Sequence, residues 1–192
     1  MSNIPLHKVL KTDRLRLRVV SLSDIHLVWS ASRYEGFNDG MVWDPPLDKK
    51  EMIPVTSKNI KAWEEGVAFT FTIEIAESNT PVGRIDIRIE SEPGVWSIGF
   101  WIHPEHQNSG YATEASKELM RFGFDDLRAS KITIAHAVWN TSSKRVIEKL
   151  GFEFIRENPT GYLKAGEPVP EYEYEIRAFE FRNFWLQNTE IL

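Results

Sequence analysis

The residues with the clearest chemical potential form the turn Gln107-Asn108-Ser109-Gly110-Tyr111-Ala112-Thr113. It lies between an alternating apolar run, Trp96 to Ile102, and a helical pattern carried by Ala115, Leu119 and Phe122. A strand that passes through a tight turn into a helix offers the unpaired N–H groups of the first helical turn, and the positive end of the helix dipole, to whatever lies over it. The ligand that suits such a turn is a phosphate. Gly110 leaves room for a pyrophosphate to approach the backbone, although a turn glycine with no ligand has the same sequence. A second group, Tyr34, Glu35, Asp39, Trp43 and Asp44, falls in the Gly- and Pro-interrupted stretch Tyr34 to Pro46. Its aromatic faces and carboxylates both attract a cationic amine, while the same aromatics can equally pin an irregular loop onto a core. Further on, Asn140 and Ser143 have the spacing of an N-cap and its N3 residue, which local capping explains by itself.

Regular elements must hold these groups, and hydrophobic periodicity indicates them. Arg14 to Val19 alternates strictly and predicts a strand with Leu15, Leu17 and Val19 inward and its arginines in water. Ser21 reads as a helix N-cap with Asp24 as the capping-box acid, and Leu22, Ile25 and Trp29 as the buried stripe. A second helix is expected between Asp48 and Glu65, starting near Pro54, with Ile60 and Trp63 toward the core. Val67–Ile75, Ile85–Ile89 and Trp96–Ile102 predict three strands in an antiparallel meander joined by short turns. After the helix of Ala115, Leu119 and Phe122 come a strand over Ile132–Val138 and a helix with Val146, Ile147 and Leu150 inward that stops at Gly151. Two strands, around Phe152–Arg156 and Tyr172–Phe181, are expected to close the chain. This order implies an α+β architecture: a mixed, mostly antiparallel central sheet with helices on both faces, formed by residues 1–192 as a single domain.

Composition narrows the function. With 192 residues, 42% of them hydrophobic, the chain can bury a full core. A formal charge of -5 argues against general nucleic-acid binding, which needs clustered excess Lys and Arg. The absence of Cys removes disulfides, a thiol nucleophile and thiolate metal sites, and no metal is expected. The first residues lack a signal-peptide apolar core, and no later run approaches the ~20 apolar residues that span a bilayer. No membrane partner is expected, and the expected location is cytoplasmic.

The run Ile98-Gly99-Phe100-Trp101-Ile102-His103-Pro104, continued by Gln107, Gly110, Tyr111, Ala112, Thr113, Glu114 and Ala115, resembles the acetyl-coenzyme A loop of the GNAT superfamily of N-acetyltransferases. Within it the segment is similar to the subgroup that includes the ribosomal-protein acetyltransferases RimJ and RimL. A second block, Asn140 to Phe152, is similar to the family's N-x-x-S-x-x-V-x-x-K-x-G-F pattern. Two motifs at the expected separation and on the expected elements are far more specific than either alone. The resemblance extends from Thr12 to the last strand, and the element order fits the acyl-CoA N-acyltransferase fold. It implies direct transfer of an acetyl group from acetyl-CoA to a primary amine, with a protein N-terminal α-amine as the first acceptor. The alternatives are a small amine (polyamine, amino sugar or antibiotic) or a CoA-binding module without turnover. A homodimer is a further expectation.

The resemblance also implies roles. Phe100, Trp101, Ile102, Gln107, Asn108, Ser109, Gly110, Tyr111, Ala112, Thr113, Asn140 and Ser143 are expected to contact acetyl-CoA, with Asn140 open between capping and the pantetheine arm. A splay at the end of the Trp96–Ile102 strand is expected to free amides for a small oxyanion hole. Ser143 and Tyr162 are the candidate acids for the leaving thiolate, which at a pKa of about 8.5 leaves with little help. The amine must lose its proton, easier for an α-amine near ~8 than for a lysine near ~10.4. For the base the sequence offers several groups without choosing. Glu74, Glu90, Glu92, Glu153 and Glu157 lie on or beside strands and are expected to face solvent. His103 and His106 flank the turn, and Tyr162 falls where some relatives carry a carboxylate.

Overall fold

In the computed structural model, which describes residues 4–189, alternating apolar side chains draw eight strands into one sheet. In chain order the elements are β1 (Val9–Lys11), β2 (Leu15–Val19), α1 (Ile25–Ala31), α2 (Met52–Glu64), β3 (Ala68–Ile75), β4 (Pro81–Ile89), β5 (Val95–Ile102), α3 (Tyr111–Asp125), β6 (Lys131–Ala137), α4 (Thr141–Lys149), β7 (Glu153–Lys164), β8 (Glu167–Arg177) and α5 (Ala178–Thr189). The strand order is β1-β2-β3-β4-β5-β6-β8-β7, and every neighbouring pair is antiparallel except β5 with β6.

One face of the sheet carries the main core. Leu15, Leu17, Phe69, Phe71, Ile85, Ile87 and Ile132 are sealed there against Ala115, Leu119 and Phe122 of α3. The helix seats closely because Gly123 has no side chain: a Cβ there would come within 2.8 Å of Ile87 and 2.9 Å of Ile132. Helix α2 runs from a small apolar cluster of Ile25, Val28 and Met52 to the main core, where Trp63 packs edge-on against Phe69 and Phe71.

The opposite face is polar and is covered as well. Arg16 and Arg18 both bind Glu74, at 2.7 and 2.6 Å, and Arg18 also grips Asp24 at 2.6 Å. Asp24 further accepts from the Thr72 hydroxyl and the Ser21 amide, each at 2.8 Å. Asp24 and Glu74 are buried, so the arginines of β2 do not simply stand in water and Glu74 is not a solvent-facing carboxylate. Charges under a covering helix must pair, and a strand's alternation looks the same whether its polar face meets water or partners.

Two further expectations are corrected, and one element went unseen. Leu22 is exposed and Leu27, Val28 and Ala31 are buried instead, because a separate 3₁₀ turn over Leu22–Asp24 precedes α1 and rotates its register. The strand expected over Tyr172–Phe181 ends at Arg177, and α5 follows, its Phe181 still buried. The short β1 was not distinguished at all, since three residues are too few to show a period.

Candidate active site

The parallel pair at the centre of the sheet opens into a wedge. β5 and β6 pair only at Val95–Lys131, Trp96–Ile132 and Ser97–Thr133, although β5 runs on to Ile102 and β6 to Ala137. On its other edge β5 stays paired with β4 throughout: Val95 accepts from the Glu90 amide and the His103 amide reaches Val82. By strand alternation the N–H and C=O of Phe100 therefore point away from β4, into the wedge, with Ala135 across from them on β6. Phe100 is the residue that can offer a free amide to an oxyanion there. The Trp101 side chain turns to the opposite face, where it meets Phe37 edge-on at 5.4 Å, and Ile102 is buried in the core.

At the lower end of β5 the turn takes the form its residue types require. Asn108 and Gly110 adopt left-handed backbone, at φ +61° and +80°, and Gly110 is the N-cap of α3. From residue 108 to residue 113 no backbone N–H finds an acceptor among the described residues, and the first helical bond is Glu114 N–H to the Gly110 carbonyl. Six consecutive free amides at a helix N-terminus form a concave anion site, and this fits a pyrophosphate. Gln107 does not point outward: its Nε2 donates to the Ile102 carbonyl at 3.2 Å and closes the turn. Arg14, which the sequence did not single out for this site, locks the turn from outside. It donates to the Ser109 carbonyl at 3.0 Å, pairs with Glu114 at 2.6 Å and lies 5.0 Å over the Tyr111 ring. Burial alone would raise the Glu114 carboxyl, but bonds from Thr12 and Arg14 outweigh it and hold that carboxyl below its ordinary value.

Above the wedge, a cleft of about 1240 Å³ opens over the polar face of β4 and β5 and reaches the N-terminus of α4. Asn140 and Ser143 line it. Asn140 caps α4, its Oδ1 accepting from the Ser143 amide at 3.1 Å. Tyr162 also lines the cleft, its hydroxyl buried without a partner among the described residues. Burial, then Glu171, push that phenol's pKa up, so it is held protonated. Of the five groups expected to read the acceptor, Trp43 and Asp44 line the cleft. Tyr34 instead donates to Glu105 and packs against His103, and Glu35 and Asp39 are exposed outside the lining.

The sequence did not single out two carboxylates that line the cleft, Asp86 and Glu171. Asp86 of β4 pairs in register with Gly99 of β5, and a Cβ at Gly99 would lie 3.2 Å from Asp86 Oδ1. The acid thus leans across β5 beside Phe100, ion-paired with Arg88 at 2.7 Å. Burial raises its pKa, with Arg88 opposing. Across the cleft, Glu171 of β8 occupies space that a side chain at Gly161 would fill, with a hypothetical Cβ only 2.5 Å from Oε2. Burial first, then Glu173, raise its pKa too. A legible signal existed: a glycine at an outward position of a central strand marks the close approach of another group.

Residues 14–153 match the family described as the acetyltransferase (GNAT) domain. Over 182 residues the chain is 26% identical to the uncharacterized N-acetyltransferase p20 of Bacillus licheniformis, covering 91% of this chain and 98% of that one. Its fold superimposes on RimL, a ribosomal-protein alpha-N-acetyltransferase solved with coenzyme A, with a TM-score of 0.80 at 18% identity, covering 88% of this chain and 98% of the other. It superimposes likewise on a spermidine N-acetyltransferase from Vibrio cholerae solved with CoA and spermine, with a TM-score of 0.77 at 19% identity, covering 90% and 100%. The chain belongs to the GNAT acetyltransferase family and has the acyl-CoA N-acyltransferase fold. It is an N-acetyltransferase that acts on an amine.

Proposed function

We propose that this enzyme takes its acetyl group from acetyl-CoA bound along the wedge and passes it directly to a primary amine in the cleft over β4 and β5. The observation that carries this reading is the position of Asp86, a carboxylate of raised pKa leaning over Gly99 next to the free amide of Phe100. Acetyl-CoA supplies an acyl group activated as a thioester. The amides from Asn108 to Thr113 hold the pyrophosphate, with Gly110 leaving their approach open. The Phe100 N–H points where a carbonyl oxygen gains charge, and a donor fixed there stabilises the transition state without reorganising. Asp86 accepts the ammonium proton, its raised affinity matching the task better than that of an exposed aspartate. Tyr162 and Ser143 stand at the cleft wall to donate toward the departing sulfur. Asn140 is the cap of α4 in this reading.

A protein N-terminal α-amine and a small amine both fit a cleft of this size. The exposed apolar side chains Phe154, Ile155 and Leu163 on the edge strand β7 support a second copy as a partner, checked by light scattering. The function is tested by following free thiol released from acetyl-CoA across a panel of N-terminal peptides, amino acids and polyamines. Amine-dependent thiol release that vanishes in Asp86→Asn supports the reading. Full activity in a folded Asp86→Asn enzyme overturns the assignment of the base.

A further inference from the structure

Among the described residues, Arg84 is the guanidinium on the covered polar face that the ion-pair network leaves over. It sits on β4 two residues before Asp86 and on the same side of the sheet, in register with Thr72 on β3 and Trp101 on β5. It keeps 7% of its surface, and its Nε and Nη2 are sealed without an acceptor among the described residues. Its neighbours explain why. Asp24 is already committed to Arg18, Ser21 and Thr72, and Glu74 to Arg16 and Arg18. Arg16, Arg18 and Arg84 therefore face Asp24 and Glu74, while the third carboxylate of this face, Asp86, is held by Arg88. An unpaired charge under a covering helix is among the costliest arrangements a fold can hold, and it calls for a partner from outside the network.

The excess cation borders the acceptor side of the cleft, among its lining residues with Asp86, Trp101 and Trp43. Resting on the reading above, in which Asp86 takes the amine, we infer that Arg84 is the subsite for an anionic group of the acceptor, so that the preferred substrate is an amine carrying a carboxylate a few bonds from its nitrogen. The spacing agrees. Two residues along a strand separate the Cα atoms of Arg84 and Asp86 by about 6.6 Å, and both side chains stand on one face. A free amino acid presents such a pair, and so does a peptide whose first residues include Asp or Glu. The shared requirement is a negative charge held near the reacting amine.

The test compares each acceptor with its carboxamide counterpart: amino acids against amino-acid amides, and Asp- or Glu-containing N-terminal peptides against their Asn or Gln versions. In the wild-type enzyme kcat/KM for the carboxylate form should exceed that for the amide form at least tenfold, and the series that shows this identifies the source. In Arg84→Met the preference should disappear while kcat/KM for the amide form stays within about twofold. The free protein should melt no lower, since a buried charge without a partner has been removed. A preference absent from the wild type, or one that survives Arg84→Met, overturns the inference. So does a fall in melting temperature accompanied by equal losses on both acceptor forms, which would make Arg84 a structural group. If Arg84→Met does not fold, Arg84→Gln serves for the same ratio. Should no amine release thiol from acetyl-CoA, the transfer reading itself fails. Calorimetric binding of the carboxylate series to wild type and variant then decides the subsite separately, and equal affinity in the two overturns it.

Discussion

The turn over residues 107–113 and the cleft above β4 and β5 serve one reaction but are built from different material. The turn is a continuous run whose working groups are backbone amides, arranged by two left-handed residues and a helix start. The cleft is assembled from side chains: Asp86 on β4, Tyr162 on β7, Glu171 on β8, and Trp43 and Asp44 from the loop before α2. A site of the first kind depends on local conformation, which residue types such as Gly and Asn announce. One of the second kind depends on register between strands far apart in sequence. Substitutions should therefore act differently on the two, through cofactor affinity at the turn and through turnover and acceptor choice in the cleft.

Asp86→Asn gives the largest contrast. It should lower kcat/KM for the amine about a hundredfold or more, the range for losing a general base, and leave acetyl-CoA affinity unchanged by calorimetry. The same residue sets a pH dependence. Because its folded pKa is raised, Asp86 holds its proton above the ordinary aspartate value, so kcat/KM should fall as pH drops through that raised value. In the window between the ordinary and raised values the folded state binds a proton that the unfolded chain has lost, so stability falls as pH rises there. Both dependences should be missing from Asp86→Asn, and a wild-type acid limb in that variant would move the base elsewhere.

Gly110→Glu addresses the other region. A side chain at φ +80°, bearing a negative charge in the anion site, should weaken acetyl-CoA binding at least tenfold, or about 1.4 kcal/mol, with acceptor KM unchanged. Unchanged affinity in a folded variant would mean that the amides of residues 108–113 do not hold the pyrophosphate.

Much of the turn was legible because Gly110 and the helix after it are neighbours in sequence. The core face was legible for a related reason: apolar alternation in β3 and β5, and the 3.6-residue period of α3, report burial directly. The cleft was not. Nothing in Ile85-Asp86-Ile87-Arg88 distinguishes an acid leaning on Gly99 from one in water, and Glu171 looks like any acid of a Glu-rich strand until Gly161 is brought beneath it. Asp24 read as a helix cap, and it is one, yet it also anchors Arg18 and Thr72 across the sheet. The C-terminal helix α5 hid behind β8: Tyr172, Tyr174 and Ile176 alternate with charged residues, and Phe179-Glu180-Phe181 resumes an alternation one residue out of phase.

Smaller effects refine the boundary between the regions. Tyr162→Phe should lower kcat by about fivefold with little change in either KM, since a thiolate with a pKa of about 8.5 leaves without much assistance. A rise in acceptor KM instead would assign that hydroxyl to acceptor binding. Asn140→Ala should cost about 1 kcal/mol of stability in denaturant melts through loss of the α4 cap, with acetyl-CoA affinity intact. Weaker acetyl-CoA binding in that variant would join Asn140 to the cofactor site.

The wedge also gives the molecule a built-in reporter. Within a sheet, most amides exchange with solvent only when the structure opens, but those of Phe100 and Ala135 face a gap with no strand to bond. In the free protein these two should trade hydrogen for deuterium far sooner than Ile85 or Ile132 beside them, and a molecule lying in the gap would slow them as a missing strand would. Occupancy of the centre of the sheet can thus be timed residue by residue, without a label and without a substitution.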